Sequence, residues 1–251
     1  LRVAANAHAA GRRRPEVRTG RRPPPISDSY FFKEADVSVT PIAEQVSSFR
    51  SSQPAAPPSA FDLEQQQLAG HAVDGVIAAG VSFPDAELLD VHGSVTTLLA
   101  VLDGRRTVLV FYRGAWCPFC NIALRAYQDE LLPALLDRGI KLLAVSPQKP
   151  DGSLTMQQKN ELTFTVVSDS GNMLAAAAGI LTGPSEEARA QQLELGLDLT
   201  AVNADGTTTL PMPTTLIVDA DGTVRWIDVH PDYSTRTEPA DILAALDALA
   251  H

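Results

Sequence analysis

A buried strand that runs straight into a pair of cysteines leaves this chain few folds to choose from. Residues 107–112 read Thr-Val-Leu-Val-Phe-Tyr, a continuous β-branched and aromatic run. Such a run marks a strand covered on both faces, with helices above and below the sheet. Arg113-Gly114-Ala115-Trp116 follows, and then Cys117-Pro118-Phe119-Cys120. From Pro118 to Asp137 the apolar positions Ile122, Leu124, Ala126, Tyr127, Leu131 and Leu135 recur on one helical face. Gly139 suits the cap that ends this helix. The dithiol therefore stands at the carboxyl end of a buried strand and the amino end of a long helix. Ligands of open α/β sheets gather at that place.

The alternation continues along the chain. Residues 140–145 predict a second buried strand, 153–161 a polar helix with Ser153 as its N-cap, 163–167 a third strand, and 172–179 a helix of small residues. A helix over 185–195 precedes two strands, 214–219 and 223–229. They are joined by Ala220-Asp221-Gly222, an Asp-Gly hairpin signal. Residues 85–96 predict an earlier hairpin with His92-Gly93 at its turn, and Pro239 with 240–250 predicts a closing amphipathic helix. Right-handed crossovers make the first strands parallel, and the last hairpin adds antiparallel ones. The expected fold class is α/β, a three-layer sandwich with a mixed central sheet. Aromatic residues are only 6% of the chain, so its core is built chiefly from Ala, Leu and Val.

Charge divides the chain. Residues 1–50 carry nine basic groups against five acidic ones, whereas the whole chain has a formal charge of −10. Residues 1–26 are rich in Arg, Ala and Pro without an apolar period, so they bury too little to offset the entropy of ordering. Residues 1–40 are expected to be a disordered basic leader: an extension, a translation-start artefact, or a targeting segment. Clustered Arg and Pro23-Pro24-Pro25 fit the last of these poorly. Residues 41–52 and 58–69 predict two short helices, with Pro41 and Pro58 in first-turn positions that tolerate proline. Together 41–69 form a peripheral helical arm ahead of a domain over 70–251. The acidic balance argues against nucleic-acid partners. No stretch reaches the ~18 apolar residues of a membrane span.

Two cysteines three residues apart, and no others, exclude a disulfide-scaffolded fold and a closed Cys₄ zinc site. The histidines (His8, His71, His92, His230 and His251) show no ligand spacing, so no metal and no bound cofactor are expected. Inert buried cysteines would not explain Trp-Cys-Pro-Phe-Cys after a buried strand. Pro118 at the first helical position makes Cys117 the N-cap. Unpaired backbone N–H groups and the positive end of the helix dipole there favour a thiolate, lowering the pKa below the free value of ~8.5. Cys120 lies one turn on, within disulfide reach. Cys117 is thus the expected nucleophile and Cys120 the thiol that resolves it. Arg113 either adds positive potential or marks the end of the strand, and Trp116 either shields the site or is an ordinary packing anchor ahead of the helix. Asp137, Asp169, Asp219 and Asp221 fall at loop and turn ends and read as structural.

These residues resemble the peroxiredoxin-like branch of the alkyl hydroperoxide reductase and thiol-specific antioxidant family, within the thioredoxin-like superfamily. The likeness is carried by Phe83-Pro84-Asp85, Val108 to Gln128, Leu143 to Gln148, Leu162 to Asp169, Pro213-Thr214-Thr215 with Ile217 to Asp219, and His230 to Tyr233. It implies a thioredoxin-like three-layer α/β/α sandwich and thiol-dependent reduction of hydrogen peroxide or organic hydroperoxides. In such a cycle Cys117 becomes a sulfenic acid, Cys120 closes a disulfide, and thioredoxin or another dithiol restores both thiols. The resemblance also implies a cytoplasmic location and substrate contacts from Trp116, Pro118, Phe119, Met212, Pro213 and Thr214. A cis Met212–Pro213 bond would turn the Met212 backbone toward the dithiol; a trans one would simply begin a strand.

The chain departs from the family pattern at several positions. Val110 and Gly114 stand where typical members carry Pro and Thr, and Pro213-Thr214 stands where they carry a second active-site Arg. Arg113 alone is left to polarise the O–O bond. Trp-Cys-x-x-Cys and Pro-Thr are instead similar to thioredoxin-type oxidoreductases, so reduction of protein disulfides is the competing reading. A non-enzymatic interaction protein whose working part is the basic leader is a third. The physiological peroxide, the electron donor and the oligomeric state stay open.

Overall fold

The alternation of strands and helices closes into one seven-stranded sheet with the order β2-β1-β5-β4-β3-β8-β9. A computed structural model describes residues 40–54, 57–70 and 72–250; residues 1–39, which are all but the last of the expected leader, with Ala55, Ala56, His71 and His251, lie outside the described residues. In chain order the strands are β1 (Glu87–Leu89), β2 (Val95–Thr97), β3 (Thr107–Phe111), β4 (Lys141–Ser146) and β5 (Thr165–Ser168). A two-residue pair follows, β6 (Leu181–Thr182) and β7 (Leu210–Pro211), then β8 (Thr214–Val218) and β9 (Val224–Val229). β3, β4 and β5 are mutually parallel, and β8 and β9 are antiparallel, as the crossover argument requires. The β1–β2 hairpin turns at His92-Gly93, where the Asp90 carboxylate accepts the amides of His92 and Ser94.

β3 lies inside the sheet because both of its faces are apolar. Val108 and Val110 join one core, and Leu109 and Phe111 the other. The first core takes α4 (Pro118–Ala126), α5 (Leu132–Asp137), Met156 of α6 (Pro150–Lys159) and Ile242 and Leu246 of α10 (Pro239–Ala248). The second takes Leu98 and Leu102 of α3 (Leu98–Leu102) and Leu174 of α7 (Met173–Ala177). Two helical layers thus sandwich a mixed sheet.

Three local features differ from the sequence reading. The stretch 118–137 is not one regular helix: it opens into a π-helical turn at Tyr127–Leu131 between α4 and α5. Pro133 explains the break, since it offers no amide and its ring collides with the carbonyl four residues back. The polar helix begins at Pro150, with Lys149 as N-cap, so Ser153 is internal and buried, its hydroxyl 2.9 Å from that of Ser168. The arm is not peripheral. Ile42 and Ala43, at the start of α1 (Ile42–Ser52), donate their amides to the Glu238 carboxylate at 2.8 and 2.9 Å. Pro41 and Pro58 sit just before the helices rather than inside them. Ser59 caps α2 (Ala60–Leu68) through a capping box with Asp62. Glu64 of α2 accepts the Ser185 amide ahead of α8 (Glu186–Glu194). Residues 40–250 accordingly fall in one compact unit.

Asp169 bears out its structural reading. Its carboxylate accepts the Met173, Leu174 and Ala175 amides at 2.8, 3.0 and 3.1 Å, closing the amino end of α7. Charge-assisted bonds of this kind are worth ~1.5–3 kcal/mol each when a buried partner is stranded. Replacing Asp169 with alanine should cost about 2 kcal/mol or more. Urea unfolding would show it as a lower midpoint at unchanged slope.

Candidate active site

The carboxyl end of β3 delivers the chain into a tight turn before α4. Gly114 has φ +155°, and a side chain there would run into Trp116 and Gln148. The Cys117 amide donates to the Gly114 carbonyl at 3.1 Å, and the Ala115 amide to Gln148 Oε1 at 2.6 Å. Asn121 clamps the same turn, its Nδ2 donating to the Ala115 and Cys117 carbonyls at 2.9 and 2.7 Å. Cys117 is the N-cap of α4 and Pro118 its first residue, as the sequence predicts. Both cysteines are free thiols and both are buried.

Above Cys117 lies a cavity of about 930 Å³. Phe49 and Phe61 from the arm and Phe119, Trp116 and Tyr233 from the body give it aromatic walls; Leu195 and Leu197 add an aliphatic side. Phe49 meets Phe119 edge to face at 6.1 Å between centroids. Arg113, only 4% exposed, packs between two rings, its guanidinium carbon 3.8 Å from the Tyr233 centroid and 5.1 Å from that of Trp116. Arg113 and Gln192 both line this cavity, and the buried Arg113 Nε and Gln192 Oε1 have no hydrogen-bond partner among the described residues. Of the residues expected to contact substrate, Trp116, Pro118 and Phe119 line the cavity.

Met212, Pro213 and Thr214 do not border it. The Met212–Pro213 bond is trans, as is every peptide bond among the described residues. Met212's backbone is already engaged: its amide bonds to the Ile180 carbonyl at 2.8 Å beside the β6–β7 pair, and its carbonyl accepts the Thr214 hydroxyl at 3.0 Å. Pro213 gives its carbonyl to the His230 amide at 2.8 Å. The segment leads into β8, whose first residue Thr214 pairs with Phe111.

The electrostatics of the dithiol reverse the expected order. Burial pushes the Cys117 thiol well up; its hydrogen bond to Cys120 and the charge on that neighbour push the same way, against weaker pulls from Arg113 and Arg236. Cys120 suffers the same desolvation, yet the hydrogen bond from Cys117 and the adjacent Arg236 hold its thiol well below its ordinary range. A helix terminus favours a thiolate at Cys117, but a dry site adds a desolvation cost to any charge placed there. Burial thus favours the neutral thiol at Cys117, and the Arg236 guanidinium favours the anion at Cys120.

Arg236 is the site residue that sequence reasoning missed. It follows β9 in the loop Ser234-Thr235-Arg236-Thr237 and is buried, with Nη2 3.0 Å from Cys120 Sγ. The chain thus places a second guanidinium at the dithiol after all, from a loop 116 residues beyond Cys120. Nothing local in a single Arg among Ser and Thr announces this contact. His230 bonds to Asp228 and Thr235 and takes a structural part. No group of metal-binding side chains occurs among the described residues, and no helix there is long and apolar enough to cross a membrane.

A mixed sheet with a Cys-x-x-Cys pair at the amino end of its main helix defines a dithiol protein of the thioredoxin-like fold. The solved structures it resembles are peroxiredoxins. The peroxidoxin BcpB of Mycobacterium tuberculosis superposes with a TM-score of 0.52 at 21% identity, covering 69% of this chain and 98% of that one. Reduced Prx3 of Vibrio vulnificus, solved with hydrogen peroxide, gives 0.55 at 21% identity, covering 68% and 99%. The AhpC/TSA family profile matches residues 79–227, and the chain belongs to that family. Peroxiredoxin Bcp of Escherichia coli K12 is 30% identical over 109 residues, which are 42% of this chain and 64% of that protein. The match thus spans just under two thirds of this relative's length. The thiol-disulfide oxidoreductase ResA of Geobacillus kaustophilus is 28% identical over 152 residues, 60% of this chain and 69% of its own.

Proposed function

We propose that this chain is a thiol peroxidase acting on organic hydroperoxides, with Cys117 as the attacking sulfur and a thioredoxin-like dithiol as reductant in the cytoplasm. One observation carries the reading: Cys117 borders an aromatic cavity far larger than hydrogen peroxide needs, with Cys120 behind it and Arg113 beside it. The likeness to peroxiredoxins supports the same chemistry. As Cys117 attacks the distal peroxide oxygen, its proton passes along the hydrogen bond to Cys120. The O–O bond breaks, Cys117 becomes a sulfenic acid, and the alkoxide leaves as the alcohol by taking that proton. Cys120, again an anion, attacks the sulfenic sulfur. A disulfide forms and hydroxide leaves, to be protonated by solvent. Stopped-flow oxidation by cumene hydroperoxide should exceed that of free cysteine by orders of magnitude, and equal rates would overturn the proposal.

The cavity supplies a selectivity test. Phe49 lies on its wall, contributed by α1 and packed edge to face against Phe119 of the Cys-Pro-Phe-Cys turn. Losing one apolar contact surface of this size costs ~1–3 kcal/mol of discrimination. Phe49→Ala should lower the ratio of kcat/KM for cumene hydroperoxide to that for hydrogen peroxide about tenfold. An unchanged ratio would show that the organic group binds elsewhere.

Trp-Cys-Pro-Phe-Cys and the match to ResA favour a second reading, reduction of protein disulfides. Fast turnover of insulin disulfides with slow peroxide oxidation would select it. The burial of Cys117 beneath the aromatic walls weighs against it, because a folded partner must bring its disulfide to that sulfur.

A further inference from the structure

Arg236 is a buried cation without an acid. Its Nη1 donates to the Tyr233 and Thr235 carbonyls at 2.7 and 2.5 Å, and its Nη2 to Cys120 Sγ at 3.0 Å. Among the described residues no carboxylate lies within ion-pairing distance of it. A guanidinium held in a dry interior needs a counter-charge, and leaving one unpaired costs several kcal/mol. The atom positioned to supply that charge is the sulfur of Cys120.

We propose that Arg236 fixes the negative charge of the reduced pair on Cys120 and makes Cys120 the departing sulfur when the disulfide is reduced. This assigns a positioning residue to the recycling half of the cycle under "Proposed function", on which the cycle rests; the ion pair itself does not depend on it. The incoming donor thiolate attacks Cys117, the sulfur that borders the cavity. A bond forms between the donor sulfur and Cys117, the Cys117–Cys120 bond breaks, and its electron pair goes to Cys120 facing Arg236. The donor's second thiol then attacks the donor sulfur of the mixed disulfide. Cys117 leaves and takes that thiol's proton. The donor ends as a disulfide, the enzyme as one thiol and one thiolate. A low-pKa leaving group speeds the first of these displacements, and a stabilised reduced form raises the reduction potential.

The surroundings of Cys120 offer no competing charge. Besides the Arg236 guanidinium, Cys117 and Arg113 are the neighbours that favour its anion. Tyr112 is pushed up to about 12 by burial and stays neutral. Tyr127, near Arg236, is likewise raised by burial and donates its hydroxyl to the Thr237 carbonyl at 2.7 Å.

The test uses no peroxide, so its failure is separate from failure of the peroxidase reading. Thiolate absorbance at 240 nm is followed against pH in the full chain. Cys117→Ser should keep the early ionisation and Cys120→Ser should lose it. Arg236→Met should move that step to higher pH, with partial return in Arg236→Lys. With the disulfide formed by diamide, reduction of Arg236→Met by dithiothreitol should be about tenfold slower. Its equilibrium constant with glutathione should shift about tenfold against reduction, or ~30 mV more negative. The idea is overturned if the early step follows Cys117, or if a folded Arg236→Met titrates and reduces like the wild type. Should that variant not fold, the two cysteine variants decide.

Discussion

Cys117→Ser should abolish peroxide turnover, a loss of more than about a thousandfold, whereas Cys120→Ser should still consume one equivalent of peroxide and then stop. The asymmetry follows from where the two sulfurs sit. Cys117 borders the cavity and Cys120 is fully buried behind it, against Arg236. A serine hydroxyl at position 117 is far too weakly acidic to take over the attack, and no other thiol exists in the chain. Removing Cys120 takes away the neighbouring charge that raises Cys117 but leaves both guanidinium groups to favour its thiolate. The first attack therefore survives, and the sulfenic acid persists because no second thiol is in reach. Dimedone trapping with mass spectrometry would find one adduct, on Cys117, in Cys120→Ser. A Cys120→Ser protein that turns over repeatedly without added thiol would show that resolution happens elsewhere. Turnover by Cys117→Ser would remove the assignment of the nucleophile altogether.

What was legible in the sequence has local causes. The apolar run 107–112 needs only its own side chains to declare a strand covered on both faces, and Pro118 needs only its missing amide to fix the start of α4. The dithiol and its place in the chain therefore followed directly, whereas Trp116 and Phe119 entered as contacts through the family resemblance. The short helix α3 was not seen, because Val-Thr-Thr-Leu-Leu-Ala-Val-Leu shows no period that separates helix from strand. The two-residue strands β6 and β7 exist through each other, 28 residues apart, and have no pattern of their own. Long range hid the chemistry as well. Phe49, Phe61, Gln192 and Arg236 converge from four separate stretches. The charge order of the cysteines depends on burial and on Arg236, and neither is a property of the Cys-Pro-Phe-Cys segment.

Arg113→Ala should lower kcat/KM for an organic hydroperoxide about a hundredfold while slowing reduction of the disulfide far less. A fixed donor aimed at developing negative charge in a dry site is worth ~10²–10³ in rate, because it needs no reorganisation as charge appears. Arg113 meets that description. It stands two residues past the end of β3, is held between the Tyr233 and Trp116 rings, and keeps a buried Nε with no hydrogen-bond partner among the described residues. On the peroxidase proposal, the oxygen that leaves as the O–O bond breaks would supply the acceptor which that N–H lacks among the described residues. Lysine should not rescue, since a compact ammonium can neither fill the slot between two rings nor present a planar fork. Arg236→Met should give the opposite pattern, with the larger loss in disulfide reduction, because its guanidinium meets Cys120 and not the cavity. On the two proposals, Arg113 serves the opening of the peroxide bond and Arg236 the opening of the disulfide. Single-turnover rates for each half reaction, measured in both variants with circular dichroism to confirm folding, would show whether the losses cross over. Parallel losses in both steps would mean that the arginines act only as a shared background charge.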